Sequence, residues 1–283
     1  LARGLVTNRT KTIGVLVYDI QCIFIGNMLH YLGQALHENG YGMLICDSCN
    51  DAEIEKKNLQ FLMSRKVDGI LVFAVSLNGK FLKAAEKADI PVVLLDRAFR
   101  DEEFDCVEID NRSAMFRAVN KLIGYGHRRI ALVVSDVEYT GLERMKGFDD
   151  ALEYAGITIP ESYRVCGKHS FELGYDGMKR LLQLQERPTA VILGNYDTTL
   201  GGIMAVNESG LNCPGDISIL GFDDLLMSKV IRPKLWFVSQ PMEAMAGKAV
   251  EMLLNRVSGR EEGSPLRISF GAGIREGDSI RRL

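Results

Sequence analysis

Short apolar runs alternate with longer amphipathic segments along most of this chain. The short runs are rich in β-branched residues and occupy residues 13–17, 42–46, 69–73, 92–95, 130–134, 190–193 and 217–220. The longer segments have the apolar spacing of helices and occupy residues 24–36, 54–65, 81–87, 114–125, 144–155, 174–184 and 200–209. Continuous apolar strands between helices indicate parallel sheets covered on both faces. The pattern therefore predicts an α/β fold with two doubly wound parallel-sheet lobes, built from residues 13–95 and 130–220.

Polar side chains follow almost every predicted strand. They include Asp19, Asp47, Asp96 with Arg97, Asp136, Asn195 with Asp197, and Asp223 with Asp224. Each of them alone could cap a helix or solvate a loop. Ligands of open α/β sheets bind beyond the carboxyl ends of the strands, however, and both predicted sheets offer carboxylates at that edge. The sequence therefore predicts a polar binding edge on each sheet.

Composition and charge narrow the class of protein. The chain has 283 residues, of which 47% are hydrophobic and 25% charged, as in ordinary soluble domains. Its net charge of -3 excludes a protein whose whole surface is basic and binds polyanions. Any contact with nucleic acid must therefore be confined to a local part of the chain. No apolar run is long enough to span a membrane, and no signal peptide is visible. We therefore expect a cytoplasmic protein without a membrane partner.

Cysteines and catalytic motifs give little sign of a reactive centre. Six scattered cysteines favour free thiols in a reducing compartment, although Cys46 and Cys49 leave a lone metal or redox pair open. Phosphate-binding loops, nucleophile elbows and zinc-protease motifs are absent from the sequence. We predict no cofactor, no metal and no catalytic residue, and we expect His127 to close a helix–strand turn.

The first residues have a character of their own. Residues 1–11 carry three cations and no acid, and Leu1 and Leu5 are spaced for one helix face. This segment is typical of the tail of a basic region whose partner is an anion.

Several short motifs are weak indicators of a family when taken singly, but their order along the chain is informative. They occupy residues 93–97, 124–131, 144–148, 196–202, 214–224 and 238–241. In this order and spacing they resemble the effector-binding core of LacI-family transcriptional regulators, a fold shared with periplasmic sugar-binding proteins. The resemblance covers essentially the whole chain and implies that the DNA-binding headpiece is absent.

The resemblance implies two lobes joined by three crossovers. Residues 1–11 would be the hinge-helix remnant and linker. Residues 12–109 with 241–264 would form the N-terminal lobe, and residues 110–240 with 265–283 the C-terminal lobe.

The hinge helix of the family has the pattern A-R-x-L, which residues 2–5 match. By this resemblance Leu5 would push between base steps of operator DNA from the minor groove. Arg3 would add a phosphate or groove contact. Gly4 is a poor helix former, so we expect this helix to form only on DNA.

The resemblance also places a ligand between the lobes and indicates which positions contact it. These are Phe24, Asp96, Arg97, Arg144, His169, Tyr196, Asp223 and Gln240. The two aspartates would accept hydrogen bonds from sugar hydroxyls, and the two arginines would donate them. Phe24 would cover an apolar face, Gln240 would sense closure at a crossover, and His169 would line the wall.

Two departures from the family pattern leave the ligand open. Tyr196 stands where an asparagine is common, and residues 21–24 are less aromatic than in pentose binders. A sugar is expected, and a purine or sugar phosphate remains an alternative. Arg144 could also pair with Asp223 or Asp197 as a structural salt bridge.

The functional expectation is a homodimeric regulator in which a small-molecule effector shifts lobe populations and so changes affinity for operator DNA. Two other classes stay open at this point. One is a periplasmic-type sugar-binding protein of a transporter. The other is an enzyme, such as a glycosidase, that uses the paired carboxylates.

Overall fold

The computed structural model describes residues 9–99, 101–223 and 230–283. The chain divides into two compact units, each assembled from separated stretches of sequence. Unit 1 comprises Leu1–Glu108 and Pro241–Phe270, and unit 2 comprises Ile109–Gln240 and Gly271–Leu283.

Unit 1 is built on a six-stranded sheet in the order β11-β5-β4-β3-β1-β2. Its strands are β1 (Thr12–Val17), β2 (Gly42–Asp47), β3 (Gly69–Val72), β4 (Val92–Leu95), β5 (Asp105–Ile109) and β11 (Arg267–Phe270). Strands β1 to β5 pair in parallel, so their carboxyl ends share one edge. The helices of this unit are α1 (Ile23–Glu38), α2 (Ala52–Ser64), α3 (Lys83–Glu86) and α8 (Met242–Ser258).

Unit 2 repeats this plan with a sheet in the order β12-β10-β9-β8-β6-β7. Its strands are β6 (Ile130–Ser135), β7 (Arg164–Gly167), β8 (Ala190–Leu193), β9 (Ser218–Phe222), β10 (Trp236–Ser239) and β12 (Gly273–Arg275). All are parallel except β12, which runs antiparallel to β10. The helices are α4 (Asn111–Gly124), α5 (Tyr139–Tyr154), α6 (Phe171–Gln183) and α7 (Tyr196–Ser209).

Local sequence explains where the main elements begin and how closely they pack. Every residue of β3, β4 and β8 is buried, as continuous apolar runs require. Asn195 caps α7 through a capping box with Thr198. Gly174 of α6 faces the Thr198 backbone so closely that a side chain would not fit, which lets α6 pack directly on α7.

The predicted α/β class with two parallel sheets is confirmed, and each of the seven predicted strands is present. Six of the seven predicted helices begin one to five residues earlier than their apolar spacing indicated, and α3 begins two residues later, after a 3-10 turn at Lys80–Leu82. The structure adds strands β5, β7, β10, β11 and β12, and helix α8.

Two domain boundaries differ from their expected places, the first by a single residue, since unit 1 includes Glu108 and unit 2 begins at Ile109. The last crossing into unit 2 follows Phe270 instead of residue 264. The reason is that residues 265–270 belong to β11 and its approach, where the Cys106 amide donates to the Leu266 carbonyl at 2.8 Å. Backbone pairing with β5 therefore keeps this segment in unit 1.

Residues 9–11 are fastened to unit 1 by Asp68. The carboxylate of Asp68 accepts hydrogen bonds from the Thr10 amide at 2.8 Å and the Lys11 amide at 3.0 Å. The Thr10 hydroxyl also donates to it at 3.0 Å. Arg9 donates to the carbonyl of Val257 at the end of α8, a favourable place for a cation. The expected hinge residues Arg3 and Leu5 lie outside the described residues.

The cysteines and helices bear on two further expectations. All six cysteines are free thiols, including Cys46 and Cys49. Within the described ranges, no helix is both long and apolar enough to cross a membrane.

Candidate functional site

The carboxyl edge of unit 1 holds a buried aspartate beside a buried arginine. Asp96 follows β4 directly, adopts a left-handed backbone with φ of 67°, and donates its amide to the Val107 carbonyl. The next residue, Arg97, donates from Nη1 to the Ala74 carbonyl at 2.9 Å. The Arg97 Nε lies 3.9 Å from a carboxylate oxygen of Asp96. The chain thus places a charged pair at the end of a fully apolar strand.

Aromatic rings complete this edge of unit 1. The guanidinium of Arg97 lies 4.0 Å from the ring centroid of Tyr18, which follows β1. Burial raises the pKa of Tyr18 well above its usual value, and the nearby Arg97 charge opposes this only in part. Phe24, in the first turn of α1, is also buried. The phenol of Tyr18 therefore stays protonated and can donate a hydrogen bond at neutral pH.

Unit 2 presents a second buried aspartate in the same backbone conformation. Asp223 follows β9, has φ of 71°, and accepts a hydrogen bond from Nε2 of Gln240 at 2.6 Å. Burial raises the pKa of this carboxyl, while Arg144, Gln240 and the Tyr196 amide act in the opposite direction. The carboxylate is thus costly to bury and is held by three neighbouring groups.

Arg144 is fixed on several sides within unit 2. Its Nε donates to Oδ1 of Asn111 at 2.8 Å, and its Nη1 donates to the Gly194 carbonyl at 2.6 Å. The guanidinium also stacks 3.6 Å from the ring centroid of Phe222. Asp223 attracts this charge electrostatically, so a structural role and a ligand-binding role for Arg144 are compatible.

Two residues that donate hydrogen bonds to Asp223, Tyr196 through its amide and Gln240 through its side chain, each have another buried polar atom with unused hydrogen-bonding capacity. The Tyr196 hydroxyl and Oε1 of Gln240 have no hydrogen-bond partner among the described residues. Buried polar groups are normally satisfied, so such atoms are candidates for contact with a ligand or water. Tyr196 can donate and Gln240 can accept, which suits a hydroxyl group.

His169 lies elsewhere along the same edge, beyond β7. Its Nδ1 is 3.7 Å from a carboxylate oxygen of Glu138, at the start of α5. Both side chains are largely buried. His169 therefore faces an acid at this edge.

The two units use the same local arrangement, which sequence reasoning recognised only in part. Each places a left-handed aspartate after a buried strand and an arginine over an aromatic ring, Tyr18 or Phe222. The rings and the partner Asn111 were not predicted as site residues. Tyr18 and Phe222 could have been predicted as site residues, because both stand at the carboxyl ends of strands. Asn111 could not, because nothing in the sequence pattern marks a partner that lies so far from Arg144 along the chain.

The arrangement is suited to reversible binding of a polar molecule. Charged donors and acceptors are fixed by other contacts before any ligand arrives, which lowers the entropy cost of binding. Across the described part of the chain, no group of three or more His, Cys, Asp or Glu residues could hold a metal ion.

Comparisons with known proteins agree with this architecture. Residues 119–280 match the periplasmic binding protein-like domain. The chain is 33% identical to the HTH-type transcriptional repressor PurR of Edwardsiella ictaluri, over 93% of this chain and 78% of that protein. It is 31% identical to catabolite control protein A of Priestia megaterium, over 89% of this chain and 77% of that protein.

A solved structure shows the same fold with a ligand. It is a LacI family transcriptional regulator from Enterococcus faecium with bound ribose, 25% identical, with a TM-score of 0.86. The match covers 96% of this chain and 99% of that chain. Sequence and structural similarity over nearly the whole length together place this chain in the LacI family of transcriptional regulators.

Proposed function

We propose that the chain is the effector-binding core of a transcriptional regulator and that its polar edges bind a small polar metabolite, in the first place a sugar. The effector would contact Phe24, Asp96 and Arg97 in unit 1, and Arg144, His169, Tyr196, Asp223 and Gln240 in unit 2. Binding would change affinity for operator DNA, with Arg3 and Leu5 as the DNA-contacting hinge residues.

One observation carries this proposal, namely Asp223 with the unused atoms of Tyr196 and Gln240. A buried carboxylate raises the free energy of the folded state unless it is well paired, so its retention needs a reason. Hydroxyl groups of a sugar would donate to the carboxylate and to Oε1 of Gln240, and would accept from Tyr196. Charge-assisted hydrogen bonds of this kind are the strong ones.

The test is a thermal-shift screen with sugars, sugar phosphates and purines. A metabolite at a hundred times its Kd should stabilise the chain by about 2.7 kcal/mol. Asp223→Asn keeps the size of the side chain and its bond from Gln240, so it should fold and lose most of the shift. Asp101→Asn, at an exposed position, is the matched control and should keep it. A full shift in Asp223→Asn would overturn the site assignment.

Assembly and location are part of the same proposal. The paired hinge helices of the family imply a homodimer, and operator binding implies a cytoplasmic protein. Fractionation of the native host, followed by detection of the protein in the cytoplasmic fraction, would test the location.

The two other functional classes are less well supported. PurR is named a transcriptional repressor and the ribose-bound structure a transcriptional regulator, which does not favour a transporter's sugar-binding protein. For the same reason we propose binding without catalysis. Recovery of the bound metabolite unchanged after prolonged incubation would agree with this, and turnover would contradict it.

A further inference from the structure

Glu55 is an acidic residue that is fully buried, which is rare for a glutamate in a helix. It lies in α2 and is 1% exposed. By contrast, Glu53 of the same helix has a side chain 72% exposed and paired with Lys56. Carboxylates are almost never fully buried unless they are paired or hydrogen-bonded, so the position of Glu55 requires an explanation.

The contacts of Glu55 are concentrated on the segment after β3. Its Oε1 accepts from the Val75 amide at 2.7 Å. Its Oε2 accepts from the Ser76 amide at 3.1 Å and from the Ser76 hydroxyl at 2.5 Å. Three donors satisfy the carboxylate and fix the path of the chain through residues 74–76.

The same segment holds Arg97 through a shared peptide group. The Val75 amide that donates to Glu55 belongs to the peptide unit whose carbonyl, that of Ala74, accepts from Arg97. A peptide group is planar, so fixing its N–H direction fixes the direction of its C=O. A negative charge at the N–H end also polarises the group and strengthens the carbonyl as an acceptor. Glu55 and Arg97 thus lie at opposite ends of one hydrogen-bonded chain.

We propose that Glu55 is a positioning residue for Arg97: it orients the Ala74–Val75 peptide group, which holds the guanidinium over the Tyr18 ring. The inference rests on the proposed function only in that Arg97 contacts the effector. Arg97 itself, which lies 4.0 Å from the Tyr18 ring centroid, is the observable group. The orientation of that side chain can be measured without any effector.

The first experiment is NMR of the arginine Nε–Hε groups in the free protein, with Arg97 assigned by its loss in Arg97→Lys. The Tyr18 ring should displace the Arg97 resonance from the common arginine position. In Glu55→Gln an amide would meet the Val75 and Ser76 donors, so the Arg97 resonance should return toward that common position. The matched control Glu53→Gln makes the same chemical change on the exposed face and should leave it in place. An unmoved resonance in folded Glu55→Gln overturns the proposal.

A second measurement uses the unmodified protein, so it does not depend on a variant folding. Burial raises the pKa of Glu55, while its three hydrogen bonds and Arg97 oppose the rise. The Arg97 resonance should move in the pH range in which the Glu55 carboxyl carbon titrates. Asp96 and Tyr18 also face Arg97, so the Asp96 carbon is followed in the same spectra, and Tyr18 stays protonated throughout. An Arg97 resonance that is constant through the Glu55 titration overturns the proposal.

Measurements of metabolite binding distinguish a failure of the positioning role of Glu55 from a failure of the proposed function. For any metabolite that binds, Glu55→Gln should weaken the Kd about tenfold, which corresponds to about 1.4 kcal/mol, and Glu53→Gln should not change it. If Arg97→Lys leaves metabolite binding intact while the NMR results hold, the effector assignment of Arg97 fails and the positioning role stands. An unchanged Kd in Glu55→Gln, where Arg97→Lys does weaken binding, overturns the positioning role.

Discussion

Asp223 illustrates how a residue proposed to bind the effector can oppose the stability of its fold. Because burial raises its pKa, folding favours the protonated form over the carboxylate. The stability associated with this group is therefore fully present below the unfolded pKa of about 3.9 and is lost as pH rises through the higher folded value.

Asp223→Asn mimics the protonated form at every pH, and asparagine tolerates the left-handed backbone. We expect its Tm at pH 7 to exceed that of the natural chain by about 2–4 °C, the shift that about 1 kcal/mol gives a domain of this size. Calorimetry at pH 7 would measure it, with Asp101→Asn as the unchanged control. A lower Tm would show that the Arg144 attraction outweighs the cost of burial.

His127 gives a pH dependence of the opposite sign. The ring is fully buried, with Nδ1 2.9 Å from the Thr189 hydroxyl and Nε2 3.0 Å from the Arg281 carbonyl. Burial lowers its pKa, so the unfolded chain binds the proton more readily. Stability contributed by the neutral ring is present above the unfolded pKa of about 6.5 and is lost as pH falls through the folded value.

Replacing His127 with glutamine should therefore flatten the fall of Tm between about pH 7 and pH 5. The measurement is a series of thermal melts across that range. His37→Gln, at an exposed position, should retain the slope of the natural chain. Parallel curves for His127→Gln and the natural chain would contradict this assignment.

What could be predicted for single residues depended on the distance to their partners along the sequence. Asp96 and Asp223 stand directly after apolar strands, so their place at the sheet edge followed from the pattern. In the sequence Glu55 cannot be told from an exposed acidic residue of a helix, because its partners Val75 and Ser76 lie on the segment after β3. His127 was predicted correctly to close a turn, since its amide donates to the Leu122 carbonyl, but its ring contacts could not be foreseen.

At the scale of elements, a continuous apolar sequence mattered more than burial for predicting a strand. Strand β5 is buried at every residue, yet it carries Asp105 and Glu108 and was missed. Strands β3, β4 and β8 are wholly buried and were visible as apolar runs. Strand β7 buries only Val165, and β11 buries none of its residues, so neither forms an apolar run. Helix α8 is a different case, since its apolar spacing from Met242 to Leu253 is visible in the sequence and could have been predicted.

The fastening of residues 9–11 yields a prediction at this scale. Asp68→Ala removes the acceptor for two backbone amides and one hydroxyl of Thr10 and Lys11. The free energy of unfolding should fall by about 1 kcal/mol, the net value of a partly solvated hydrogen-bond group. Urea denaturation would measure the loss, and Asp101→Ala provides the surface control. An equal midpoint in both variants would show that Asp68 does not stabilise this segment.

At the scale of the whole molecule, the chain passes between its two units three times. The passages fall after Glu108, Gln240 and Phe270. Neither unit is therefore a continuous stretch of sequence. The last boundary was predicted after residue 264 instead of Phe270, because β11 is short, buries none of its residues and was not predicted. The family resemblance supplied this discontinuity, which hydrophobic periodicity alone does not encode.

The proposed dimer is a prediction about the whole molecule. Sedimentation equilibrium should give a species of twice the 31.5 kDa chain mass. The dimer should persist in Asp223→Asn, because that change lies in the proposed effector site. A 31.5 kDa species at every concentration tested would contradict the assembly.

The left-handed backbone at Asp96 and Asp223 has a consequence for how such a protein can be altered. Glycine adopts this conformation freely and asparagine and aspartate tolerate it, whereas most other residues incur strain of about 1 kcal/mol or more; only glycine and asparagine would also remove the buried charge. A laboratory population selected only for heat resistance should accumulate glycine or asparagine at these two positions. It would keep its fold and lose its response to metabolite, so thermostable descendants would remain locked in one regulatory state.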